Sequence, residues 1–272
     1  MSPVSIKSDI KLIYKQAEKF RDQGVYFQAI ELYKELLSLY DAKKDQEHYG
    51  RALFQIGLCY RMANQNTKAL EELAKAVDFY KVNNNHDRVA YTYREIGTVY
   101  LNLEDFSKAK EWFEKSVEIL KKSNDYASHG MSLTRLGLVE MHANEFKKSE
   151  KLMLDGLKLI KKDGHWFFEV SALYFIGKLY YFKKDYQKSI NQLEHAEQIL
   201  DSHRQAEIHW RRYSQIWGIL ANNHLKLNNI ELAKEYYLKA LKELFDMPNN
   251  VAKLIYKTIE ASEFIEELKK LE

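Results

Sequence analysis

Apolar side chains recur along this chain at intervals of three and four residues, broken by short polar gaps. Between 93 and 120 the pattern is plain. Tyr93, Ile96, Gly97 and Tyr100 share one helical face, and Phe106, Ala109, Phe113, Ser116 and Leu120 share another. The polar dipeptide Glu104-Asp105 lies between them. The spacing predicts two amphipathic helices, with Asp105 placed to cap the second. So short a gap suits only an antiparallel helix pair.

The pair repeats. Ile56-Gly57-Leu58-Cys59-Tyr60, Ile96-Gly97-Thr98-Val99-Tyr100, Leu136-Gly137-Leu138-Val139-Glu140 and Ile176-Gly177-Lys178-Leu179-Tyr180 place glycine at a constant step of 40. Twelve residues after each glycine stands a second small residue: Ala69, Ala109, Ser149 and Ser189. The register runs back to Ala17 and Ala29, and forward to Ala221 and Ala233 after a four-residue insertion. Six repeats result, at about 6–45, 46–85, 86–125, 126–165, 166–205 and 206–247 of a single 272-residue unit. A glycine inside a helix costs about 1 kcal/mol relative to alanine. Close approach of two helix backbones is the gain that offsets it. The fourth repeat departs furthest, with Glu140 for the aromatic, Met153 for Phe113 and Gly156 inside the second helix. It is expected to be the softest interior repeat.

This pattern resembles the tetratricopeptide repeat: Leu/Ile-Gly, an aromatic three residues on, a small residue twelve after the glycine and an aromatic four later. The step of 40 exceeds the usual repeat of about 34. Such extended repeats are similar to those of bacterial peptide-pheromone receptors (the Rap, NprR and PlcR group) and of kinesin light chain. The resemblance implies an all-α, right-handed α-solenoid of six helix pairs plus a C-terminal capping helix over 249–271. That last helix follows a break at Pro248, with Val251, Leu254, Ile255, Ile259, Phe264, Ile265 and Leu268 on its apolar side. A detachable helix that competes with a ligand is the other way to read it.

Composition narrows the function. Only 2 prolines and 10 glycines suit long helices, and 46% hydrophobic residues suffice for a core. One cysteine, Cys59, excludes an intramolecular disulfide and reads as a buried small hydrophobe. No apolar run has signal-peptide or membrane-span length, so a cytoplasmic protein is expected. No phosphate loop, dinucleotide fingerprint, zinc-protease helix or nucleophile elbow is present. His203 and His209 are wrongly spaced to share a helical face. No enzyme, cofactor or metal is expected, and a net charge of +3 does not call for nucleic acid.

In the tetratricopeptide family the first helices line the binding groove, and residues off their packing stripe touch ligands. Carried over by register, the peptide-binding candidates are Tyr14, Arg51, Phe54, Arg61, Tyr91, Arg94, Arg135, Tyr174, Lys178 and Asn222. Groove positions carry nine bases (Lys11, Lys15, Arg21, Lys226 and five of the candidates) against Glu18, Asp22 and Glu95. The implied partner is a protein or peptide of acidic character, bound by a scaffold in a basic, aromatic-lined groove. A chaperone-tail clamp is disfavoured, because Glu18 stands where that clamp needs asparagine. The alternative is a peptide-sensing regulatory domain of a bacterial signalling receptor.

Overall fold

The computed structural model describes the backbone of residues 3–203, 210–246 and 261–271, and side chains within 10–203, 212–245 and 261–271. Every described element is a helix or a turn. They divide into two compact units, one ending at Lys122 and the next starting at Ser123. The first holds α1 (Pro3–Asp22), α2 (Tyr26–Leu39), α3 (Gln46–Met62), α4 (Asn66–Val82), α5 (His86–Asn102) and α6 (Phe106–Leu120). The second holds α7 (Tyr126–His142), α8 (Phe146–Asp163), α9 (Trp166–Phe182), α10 (Tyr186–Ser202), α11 (Trp210–Lys226), α12 (Ile230–Asp246) and a last helix, α13, described over 261–269. The Pro248 break and the expected cap's first half lie outside the described residues.

Each pair is antiparallel, and its turn is built the same way. Gly24, Asn64, Glu104, Asn144, Lys184 and Asn228 all have positive φ, and each stands seven residues after the small residue of its first helix. Left-handed backbone reverses the chain within three residues, which brings the second helix back along the first. Asp105 caps α6 as expected, its side chain accepting a hydrogen bond from Lys108 N at 3.1 Å, and Asp185 serves α10 likewise.

The small residues lie where the helices cross. A Cβ on Gly97 would sit 2.8 Å from the Phe113 ring, and one on Gly57 or Gly177 would sit 2.7 Å from Leu73 or Leu193. Where the second small residue is serine it does more than fit. Ser149 Oγ donates to Gly137 O and Ser189 Oγ to Gly177 O, each at 2.7 Å. Around these crossings Tyr33, Leu36, Ile56, Leu73 and Phe113 are fully buried in the first unit, and Met153, Ile160, Leu173, Ile176 and Tyr237 in the second.

A second small-residue register accompanies the first: Gly50 with Ala76, Ala90 with Ser116, Gly130 with Gly156 and Ser214 with Ala240, while the fifth repeat places the larger Val170 opposite Ala196. Ser116 Oγ donates to Ala90 O at 2.8 Å across one of these pairs. This register gives Gly156 a packing role in the fourth repeat. Gly156 is not a defect in α8. A Cβ on it would lie 2.4 Å from Gly130 O, and one on Gly130 would lie 2.3 Å from Gly156 O. The two backbones touch where neither residue has a side chain. Glu140 is 3% exposed, yet Lys148 Nζ bonds to it at 2.8 Å, so its charge is compensated.

Candidate functional site

In the first unit the predicted residues come from α1, α3 and α5. Tyr14 is half-buried and packs edge-on against Tyr33, with centroids 6.1 Å apart. Arg51 lies 5.2 Å from the centroid of the Tyr14 ring and 3.9 Å from Glu18. Burial, helped by Glu18, raises the pKa of the Tyr14 phenol. Phe54 packs as a partly buried ring against the core around Leu53 and Leu73. Arg61 Nε stands 2.9 Å from Glu95 Oε2, close enough for an ion pair but off line for a hydrogen bond. Arg94 lies 3.7 Å from the same carboxylate, and both Arg88 and Arg94 sit 5.7 Å from the Tyr91 ring.

These distances show that three of the arginines expected to line a basic groove already have carboxylates beside them. Arg94 is only 9% exposed. Arg51, Arg61 and Arg94 are answered by Glu18 and Glu95 from neighbouring positions of the same face. The acidic residues counted against the groove's charge are the ones that neutralise it. Thr98, Met131, Thr134, Leu138 and Met141 of the first helices are also buried within the chain.

In the second unit the first helices α7, α9 and α11 adjoin, and their side chains are arranged differently. Arg135 lies 4.7 Å from the Phe175 ring. Arg212 lies 4.7 Å from the Tyr174 ring and 5.8 Å from Phe175, and it donates to Gln215 Oε1 at 3.1 Å and to Ser171 Oγ at 3.3 Å. Lys178 is half-buried, its Nζ 5.9 Å from the Phe182 ring. Burial alone lowers the pKa of its ammonium. Asn222, expected to touch ligand, accepts a hydrogen bond from Tyr237 Oη at 2.5 Å and so ties α11 to α12.

Arg212 and Arg88 were not among the expected contacts. They share a register, each nine residues before its small residue, Ala221 or Gly97. That shared offset was the signal available in the sequence. Cys59 is buried, and burial pushes its thiol up to about 12, which makes it a core residue rather than a nucleophile. His209 lies outside the described residues. No described helix is long and apolar enough to cross a membrane.

Residues 8–152 match the family model for the soluble NSF attachment protein, SNAP, and residues 170–199 and 214–243 match a tetratricopeptide repeat model. A comparison with curated proteins finds no match. Among solved structures, a Rap protein complexed with competence and sporulation factor has a TM-score of 0.67 at 13% identity, covering 96% of this chain and 74% of that one. BtubC (BKLC) from P. vanneervenii has a TM-score of 0.62 at 16% identity, covering 85% and 94%. The repeats of a putative kinesin light chain from Podosopora anserina have a TM-score of 0.53 at 16% identity, covering 73% and 98%. At these identities the structures share the fold alone, and with the repeat matches they make this a tetratricopeptide-type repeat protein.

Proposed function

The chain belongs to the soluble NSF attachment protein family, and from that premise we propose that it is a non-enzymatic scaffold whose first helices hold an acidic protein segment. One observation carries this reading: in both units, guanidinium groups on first helices lie against aromatic rings. Arg51 does so on Tyr14, Arg94 on Tyr91, Arg135 on Phe175 and Arg212 on Tyr174. A guanidinium beside a ring pairs positive charge with a flat apolar surface, a combination that suits an acidic segment carrying apolar side chains. Several such contacts on one chain add their effects without any of them being strong alone. No cofactor or metal enters this reading, and the scaffold works in the cytoplasm. A peptide-sensing regulatory domain is the second reading, favoured by the likeness to a Rap protein solved with competence and sporulation factor.

The test is affinity capture from the source cell followed by mass spectrometry, run with the parent chain, Arg51→Gln and Lys178→Met. A partner held by the parent and lost from either variant supports the scaffold reading. A partner held equally by all three places binding away from Arg51 and Lys178, at the outer faces or at Trp166-Phe167-Phe168 at the start of α9. A captured species no longer than a short peptide favours the sensor over the scaffold.

A further inference from the structure

Where α3 and α5 begin and α4 ends, the first unit holds a cavity of about 420 Å³, within the usual range of ligand clefts. Tyr91 alone of the expected groove contacts lines it. Two carboxylates reach it, Glu47 from the first turn of α3 and Asp87 from the first turn of α5, against one guanidinium, Arg88. Phe79 and Tyr80 supply apolar wall. The Phe79 ring is held in place by Tyr49 at 5.0 Å and Tyr80 at 6.1 Å. Across from it, Arg88 lies 5.7 Å from the Tyr91 ring, so that wall already carries a guanidinium. Tyr80 is 2% exposed, and its Oη has no hydrogen-bond partner among the described residues. Burial pushes this phenol up to about 12, and the charges of two cavity residues, Arg88 and Glu47, act on it as well. It is therefore a neutral hydroxyl whose polar end lies towards the cavity.

We propose that this cavity receives the guanidinium of an arginine side chain from a bound protein, paired with the carboxylates of Glu47 and Asp87 and laid against the Phe79 ring. That the arginine comes from a protein rests on the scaffold reading; the cavity and its chemistry do not. A planar guanidinium can stack on a ring and fork to carboxylates at once, which a compact ammonium cannot. Its five N–H donors suffice for both carboxylates and for Tyr80 Oη as acceptor. A buried hydroxyl left unmet is costly, and an incoming donor removes that cost. An anion would instead meet two carboxylates for one arginine. An apolar side chain would cover those carboxylates without pairing them. The site adds one basic position to a segment that is otherwise acidic.

The experiment titrates N-acetylarginine amide into the full nitrogen-15-labelled chain at low salt, where exposed charges are least screened, and follows the amide signals of Asn85 and Arg88. N-acetylcitrulline amide is the neutral control of the same shape, and agmatine stands for a free small cation. The arginine amide should shift both signals saturably, and the citrulline amide should not. Glu47→Gln and Asp87→Asn should each weaken binding about threefold, and the double variant about tenfold. Tyr80→Phe should also weaken it about threefold, with its unfolding midpoint level or raised, because that hydroxyl has no hydrogen bond to lose in the free chain. Glu114→Gln removes the same charge from the exposed side of α6 and should change binding less than about twofold. Equal losses in Glu47→Gln and Glu114→Gln would reduce the effect to net charge and overturn the site. Equal shifts with the citrulline amide would overturn the guanidinium assignment. Binding of agmatine with exclusion of the arginine amide would assign the cavity to a free small cation and overturn the protein source. No shift with either cation would overturn the site, while partner capture would still decide the scaffold reading by itself.

Discussion

At 130 and 156 two glycines face each other across α7 and α8, and each would place a new Cβ within 2.4 Å of the other's carbonyl oxygen. Backbone cannot rotate aside as a side chain can. Gly156→Ala is therefore expected to cost about 3 kcal/mol, the upper end for overpacking, despite alanine's better helix propensity. Gly97→Ala meets only the Phe113 ring and should cost about 1 kcal/mol. Denaturant midpoints of the two variants check this order, and equal midpoints would refute the backbone contact. Arg94, a ligand contact by register, is enclosed within the chain. As a solvated groove charge it would be replaceable without effect on folding. At 9% exposure beside Glu95, Arg94→Glu puts two carboxylates together in a buried place. Breaking such a pair costs about 3–5 kcal/mol, so this variant should show a large loss of midpoint. Arg51→Gln, whose side chain is a third exposed, should lose about 1 kcal/mol or less.

Between helices, α7 is the most enclosed part of the second unit. Twelve of its seventeen residues are buried, and its crossing with α8 carries both small-residue registers and the Ser149–Gly137 bond. Amide protons in the middle of α7 should accordingly exchange among the slowest in the chain, the reverse of the softness that Glu140 and Gly156 suggest in sequence. Exchange in α7 faster than in α5 or α9 would restore that earlier expectation. Neighbouring pairs are also joined by charge. Glu150 of α8 accepts from Tyr180 Oη of α9 at 2.8 Å and pairs with Lys183 just beyond it. The hydrogen bond from Lys183 holds the Glu150 carboxyl below its ordinary value of 4.5. A lowered carboxylate stabilises the folded chain above that ordinary value, and the contribution is lost as pH falls through the folded-state value. Glu150→Gln should cost about 1 kcal/mol at neutral pH, and its midpoint should approach the parent's as the pH falls below the ordinary carboxylate value. A gap that persists in acid would mean that packing, not charge, joins these helices.

For the whole molecule, the sequence by itself determined the architecture of the pairs, their number and their register. It could do so because a helix crossing demands a small residue at a fixed offset, and a demand repeated every 40 residues can be read without coordinates. The left-handed turn residues follow the same rule, as does the cap at Asp105. The repeat register did not separate the soluble NSF attachment protein family from other helical-pair families, because all of them meet the same packing demand. Nor could it show which charges are available to a partner. Glu18 and Glu95 are as visible in the sequence as Arg51, Arg61 and Arg94, but only tertiary structure shows them within 4 Å of one another. Periodicity tells which face of a helix a side chain shares. Whether its charge is then cancelled depends on ångström distances between neighbouring first helices, set by how deeply the small residues let those helices pack. That is also why the half-burial of Lys178, one of nine bases at groove positions, is visible only in the folded chain.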